Sequence, residues 1–327
     1  MALPWVRTRH VLLSLLFAVS LAACSSAQAA APPSTTPPPT ITATFTFTAL
    51  PPTPTASPSP TSSSTPERTL TPTPSPTPWP TYTPTYAPTP DADAANRQVR
   101  LPILLYHYVE PWPADADALR QGLTVRPENF AAQMQYLHDH GYVTVSLYDL
   151  IYALALGWPL PEKAVVLTFD DGYRTLVDYA LPAMQPYGYT GTVFVITELM
   201  DGEFPQYLTW PQAEGLYARG WKIEPHTKTH DELAGRDWDF QLYQMLGSIQ
   251  TVQAHIGATP RFFACPSGRC DALTHQLARE LHLWGVMTAG FGRVHTFDGR
   301  YTFARVRVDG RAALQDFVNA LEGDLGR

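Results

Sequence analysis

From Ala31 to Pro90 the chain is written almost entirely in Thr, Pro, Ser and Ala, in runs such as PPTPTASPSPTSSSTPE and TPTPSPTPWPTYTPTYAPTP. So few large apolar side chains cannot offset the entropy of ordering a backbone, and the tract is expected to be disordered or polyproline-like. Fully extended at ~3.1 Å per residue, such a stalk reaches on the order of 190 Å. Whether a spacer of chosen length or a plain linker, it is a tether. A packed core is thereby confined to residues 98–327, about 230 residues, which is room for one large domain.

Ahead of the tract, MALPWVRTRHVLLSLLFAVSLAACSS opens with Arg7 and Arg9 and continues in an apolar run from Val11 to Ala23. That run is short for a bilayer span and has signal-peptide proportions. It ends in Leu21-Ala22-Ala23-Cys24, which resembles the lipobox of bacterial lipoproteins. The resemblance implies a cleaved signal over residues 1–23, diacylation of Cys24, and a lipidated linker over 24–97. Such a protein would be held outside the cytoplasm by a membrane anchor that does not thread the chain through the bilayer. An ordinary secretory signal, releasing the protein, is the alternative. The remaining cysteines, Cys265 and Cys270, form a disulfide or stay reduced; their spacing does not decide. The net charge is −7, and loss of Arg7 and Arg9 with the signal leaves 20 basic against 29 acidic residues. With no basic run, nucleic acid is not an expected partner; a neutral or weakly charged substrate fits, and a monomer is expected.

Within 98–327, apolar and β-branched runs recur: LPILLY (101–106), YVTVS (142–146), AVVLTF (164–169), GTVFVI (191–196), WKIE (221–224), RFFA (261–264), LWGVM (283–287) and YTFARVRV (301–308). Helix-like stretches lie between them, among them ENFAAQMQYLHDHG, TLVDYALPAMQPYG with its two interrupting prolines, FQLYQMLGSIQTVQAHIG and ALTHQLARELHL. Continuous apolar strands alternating with helices predict a parallel sheet covered on both faces. With seven or eight strands, a distorted (β/α) barrel is favoured over an open sheet.

The chemistry gathers where these strands end. LPILLY is followed by His107, AVVLTF by Asp170-Asp171, WKIE by His226 and His230, and RFFA by Cys265-Pro266-Ser267-Gly268. In a barrel those ends converge on one face. Two adjacent carboxylates either sit in a solvated turn or hold something positive. His226 and His230 in HTKTH would share one side of a helical turn, though two surface histidines fit that spacing as well. Joined by Asp171 they make a two-His, one-carboxylate set suited to Zn²⁺ or a similar divalent ion, and the ion would leave Asp170 free as a base.

TFDDG (168–172), HTKTH (226–230) and RFFACPSG (261–268) together resemble motifs of the polysaccharide deacetylases, carbohydrate esterases sharing the chitooligosaccharide deacetylase homology domain. LPILLYHYV and TVRPENFAAQMQYLHDHGYVTVSL are similar to the branch containing poly-N-acetylglucosamine deacetylases. The resemblance implies Asp170 as catalytic base, and Asp171, His226 and His230 as ligands of a divalent metal, Zn²⁺ foremost with Co²⁺, Ni²⁺ or Mn²⁺ as alternatives. It implies Pro266 and Gly268 as groove wall, the Ser267 amide toward the oxyanion, Thr227 as the small hydroxyl residue beside the first ligand, and Arg305 as the group orienting Asp170. It further implies removal of N-acetyl groups from N-acetylglucosamine units of an envelope or extracellular polysaccharide.

Three departures stand out. No histidine follows Tyr301, where the family usually supplies its acid, so His107 is the candidate for that role, a structural histidine capping the strand being the alternative, and His295 is the weaker candidate. Cys265 stands where an aromatic residue is commoner, and Glu224-Pro225 replace small residues before His226. Two other readings share these residues: an O-acetyl esterase acting on a polymer such as acetylated xylan, and a non-catalytic wall-binding module. Trp210 is read as packing.

Overall fold

The computed structural model describes residues 88–323. The segment expected to be a signal, Cys24 and the Thr/Pro tract up to residue 87 lie outside the described residues. Residues 91–97, placed in the linker by composition, dock on the domain: Ala94 is buried, the Asp91 amide donates to the Ala155 carbonyl, and Arg97 donates to the Leu154 carbonyl. Among the described residues, no helix is long and apolar enough to cross a membrane.

Eight parallel strands carry the fold: β1 (Ile103–Tyr106), β2 (Val143–Thr144), β3 (Ala164–Phe169), β4 (Thr192–Val195), β5 (Lys222–Pro225), β6 (Phe262–Ala264), β7 (Gly285–Met287) and β8 (Val306–Arg307). Seven fall inside the apolar runs, and β5 extends one residue past WKIE to Pro225. One sheet has the order β8-β1-β3-β4-β5, with β2 also paired to β3. A separate ladder joins β6 to β7, and a single bridge, Met287 to Phe303, reaches toward β8. The barrel is therefore distorted by a seam between β5 and β6 that no backbone ladder closes.

Alternation explains why these strands read as unbroken apolar runs. Leu104, Tyr106, Leu167, Phe169, Val193 and Val195 pack with helix residues Phe130, Met134, Leu137, Ala213 and Leu216. Their neighbours Ile103, Val166 and Phe194 pack instead with Phe262, Ala264, Met287 and Phe303. Both faces are buried, so every position is apolar.

The main helices are α1 (Pro127–Asp139), α2 (Leu147–Leu156), α3 (Trp210–Tyr217), α4 (Trp238–Ile256), α5 (Ala272–Glu280) and α6 (Leu314–Glu322). TLVDYALPAMQPYG is broken as its prolines require, into a π turn (Leu176–Ala180), a short α segment (Leu181–Met184) and a 3₁₀ turn (Gln185–Tyr187). The stretch before β8 is likewise a 3₁₀ turn, Asp298–Thr302, so only the last part of YTFARVRV is strand. Trp210 packs as expected: it is buried, stacks on His255 and donates its indole N–H to Asp201.

Candidate active site

Each chemical residue follows the strand that the sequence assigned to it, and the chain turns sharply to present it. Among the described residues, six non-glycine residues have positive φ, and four of them lie in the motifs: Asp171 (71°), Thr227 (65°), His230 (69°) and Ser267 (55°). Backbone strain of this kind persists only where surrounding contacts enforce it, and it collects at functional sites. Gly172, at φ 74°, packs against Val195, which would stand 3.1 Å from an added Cβ.

Asp170 and Arg305 form a fully buried bidentate pair, with both oxygens 2.7 Å from guanidinium nitrogens. Arg305 begins just before β8 and reaches Asp170 past the Thr168 hydroxyl and the Phe194 ring. Burial alone would raise the Asp170 pKa, but the Arg305 and His226 charges outweigh it and hold the carboxyl below its ordinary value.

Asp171 faces the other way. Its Oδ1 lies 3.3 Å from His226 Nε2 and 3.2 Å from His230 Nε2, and ligand atoms of all three side chains fall within 4.8 Å of one another. Yet that buried oxygen has no hydrogen-bond partner, because neither contact has the alignment of a hydrogen bond. His226 Nδ1 is 2.8 Å from the Ala264 carbonyl, a contact only an N–H can satisfy, so in the neutral ring Nε2 carries the lone pair beside the Asp171 oxygen. An orphaned carboxylate oxygen beside an imidazole lone pair, with neither aimed at the other, calls for a cation. Burial lowers the His226 pKa, but Asp171 and Asp170 raise it further still; a proton and a metal ion compete for this place. The three residues fit a divalent cation.

Residues 158–286 match the family model for polysaccharide deacetylase. The chain is 30% identical over 212 residues to YxkH of Bacillus subtilis, which carries a polysaccharide deacetylase name, and the match covers 65% of this chain and 72% of that protein. This chain belongs to the polysaccharide deacetylase family. Across 138 residues the deacetylase is 39% identical to the poly-beta-1,6-N-acetyl-D-glucosamine N-deacetylase of Escherichia coli K12, covering 37% of this chain and only 20% of that one. Among solved structures it resembles the Streptococcus pyogenes deacetylase PplD in complex with acetate, with a TM-score of 0.64 and 26% identity, over 69% of this chain and 100% of that one.

Two expectations need correction. HTKTH is not a helical turn in this deacetylase: residues 226–230 form a loop, with Thr227 and His230 at positive φ. The buried Thr227 hydroxyl accepts from the His230 amide at 2.9 Å, and Gln244 of α4 accepts from the Lys228 and Thr229 amides. His295 is not an acid candidate. It is buried on a short strand (Val294–Thr296), its Nε2 2.9 Å from the carbonyl of Leu101, which precedes β1, whereas His107 follows β1.

His107 itself is half-buried at the site, within electrostatic reach of Asp170, Asp171 and His226. Burial lowers its pKa, while Asp170 and Asp171 pull the other way. Cys265 and Cys270 are joined in a disulfide that spans the Pro266-Ser267-Gly268 turn. That turn begins after Ala264, the residue that holds His226. Gly268, at φ 67°, lies so close to Ala289 that a Cβ would stand 2.2 Å from it.

Sequence reasoning missed Gln244 and saw Glu224 only as a departure. A buried Gln inside an apolar helical stripe is the signal that could have exposed the first.

Proposed function

We propose that this chain is a metal-dependent N-deacetylase of an N-acetylglucosamine polymer in the cell envelope or outside the cell. The observation that carries the reading is the divided carboxylate pair. Asp170 is locked to Arg305, and Asp171 leaves a bare oxygen before two histidines. The substrate in the Escherichia coli relative's name, poly-beta-1,6-N-acetyl-D-glucosamine, supports the choice of polymer. Two imidazoles and a carboxylate suit Zn²⁺ first, then Co²⁺, Ni²⁺ or Mn²⁺. When bound, the ion supplies Lewis-acid polarisation of the acetyl oxygen and of water.

The protein's own groups do the rest. Asp170, kept ionised by Arg305, accepts a proton from the attacking water. The new bond forms at the acetyl carbonyl carbon, and the Ser267 amide donates to the developing oxyanion. His107 gives a proton to the sugar nitrogen as the C–N bond breaks, since an amide anion does not leave unaided. Acetate and a free glucosamine unit result. Pro266 and Gly268 shape the groove beside the reacting acetyl group, and a lipid on Cys24 tethers the enzyme outside the cytoplasm.

The test is acetate release from poly-N-acetylglucosamine, chitooligosaccharides, peptidoglycan and acetylxylan, with and without chelator, beside Asp170→Asn. Release from an N-acetylated polymer that stops under either treatment is expected. Activity surviving both treatments overturns the mechanism, and release from acetylxylan alone turns the reading to an O-acetyl esterase.

A further inference from the structure

The seam between β5 and β6 is the weak line of the barrel, and the metal-ligating loop leaves from one side of it. Backbone pairing does not close it. Side chains do. At one end Glu224 Oε2 accepts from both the Arg261 and Phe262 amides, each at 2.9 Å. Its other oxygen, Oε1, accepts from the Tyr148 hydroxyl of α2 at 2.7 Å. At the other end, His226 Nδ1 meets the Ala264 carbonyl at 2.8 Å. Between these two fastenings lies the whole of β6, residues Phe262–Ala264.

We propose that Glu224 is a positioning residue that sets the height of β6 against β5, so that the Ala264 carbonyl fixes the His226 tautomer and aims Nε2 at the cation site. The proposal rests on the metal reading of Asp171, His226 and His230. Glu224 is 1% exposed, and burying a carboxylate is costly unless its lone pairs are filled. Three donors fill them here, and one, the Phe262 amide, is a group that a regular ladder would have paired with a β5 carbonyl. A side-chain oxygen thus stands in for the missing ladder at the point where the two sheets part. The ordinary alternative, a small residue at 224, would take this acceptor from the buried Phe262 amide and leave β6 free to slide along β5. Sliding by a fraction of an ångström breaks the alignment of the bond that orients His226. Partners of this kind act through the ligand they orient, and their loss costs about 10–100-fold in metal affinity.

Zn²⁺ titration of the full chain by competition with a chromophoric chelator provides one readout. The His226 ring tautomer in the metal-free protein, by nitrogen NMR, provides another. Glu224→Ala is expected to weaken Zn²⁺ binding by ~10–100-fold and to convert a single Nδ1–H tautomer into a mixture. Glu224→Gln retains an acceptor for the two amides and is expected to keep the single tautomer. Glu224→Asp keeps the charge but withdraws the oxygen by one methylene; it should move both readouts with the Ala variant, and it decides the matter if Glu224→Ala does not fold. Wild-type affinity and a single tautomer in Glu224→Asp overturn the proposal. If the wild-type chain takes up no Zn²⁺, the metal reading fails, while the tautomer still reports whether Glu224 positions His226.

Discussion

Asp170 reaches Arg305 through both carboxylate oxygens, while Asp171, the next residue, turns through a φ of 71° to face His226 and His230. The turn separates two like charges that would otherwise repel, and gives each its own counter-charge. Replacing Asp170 by Asn should therefore lower kcat by about 10²–10⁴-fold, the usual worth of a general base, while leaving Zn²⁺ affinity in place. Stopped acetate release with intact metal binding checks this. Arg305→Met should cost about 3–5 kcal/mol, because it strands a buried carboxylate, and thermal unfolding reads that loss. The Asp170 pKa is depressed, so the stability it contributes is present above the ordinary carboxylate value of 3.8 and is lost as pH falls through the lower folded value. Its acid limb in a rate profile lies below 3.8 for the same reason. The His107 pKa is lowered too, but for an imidazole that favours the neutral form. Burial drops its pKa under 6.5, so as a proton donor it should be exhausted as pH rises past a midpoint below 6.5. A descending limb in kcat/KM that His107→Gln flattens is the expected result; a limb unchanged by that substitution would assign the proton to another group.

Helix α5 shows how an element is pinned to the site it borders. Its N-cap, Asp271, accepts from the Thr274 amide at 2.9 Å and from the Gly235 amide at 2.7 Å, one residue beyond the Cys265–Cys270 disulfide. These donors hold its pKa at about 2, even though burial works against them. Asp271→Ala should cost about 1 kcal/mol, as lost caps do, and the difference from wild type should shrink below pH 3.8 and go as pH falls through about 2, below which the cap is protonated in both states. Equilibrium unfolding across that range is the check. The strands were legible in the sequence because doubly buried parallel strands leave no polar alternation to confuse them, and their ends betrayed Asp170, Asp171 and His226. Helix α2, LYDLIYALAL, was not recognised: eight of its ten residues are buried, so it lacks the polar stripe that marks a helix. The HTKTH loop misled for a different reason. Spacing suggests a helical turn, but Gln244, fifteen residues away from Thr229, accepts from the Lys228 and Thr229 amides in a loop with positive φ at Thr227 and His230. Local pattern cannot report a partner supplied by a distant helix. The same blindness hid Glu224, whose meaning depends on a seam that exists only after the strands are assembled.

The position of the cation site within the barrel links ligand binding to the stability of the whole domain. Asp171 follows β3, His226 follows β5, and His226 is bonded through Ala264 to β6. One ion would therefore tie together strands on both sides of the unladdered seam, a geometry that the unfolded chain cannot offer. Binding restricted to the folded state adds RT ln(1 + [L]/Kd), about 2.7 kcal/mol with free metal at 100 times Kd. A domain of this size shifts by roughly 2–4 °C per kcal/mol. Saturating Zn²⁺ should then raise the melting temperature by about 5–11 °C over the chelator-treated protein. The gain should disappear in Asp171→Asn and in His226→Ala, while persisting in Asp170→Asn, whose carboxylate belongs to Arg305. Calorimetry on the four proteins separates the possibilities. A shift that survives loss of His226 would mean that Zn²⁺ stabilises the domain from somewhere other than the seam, and the coupling between site and barrel argued here would be wrong.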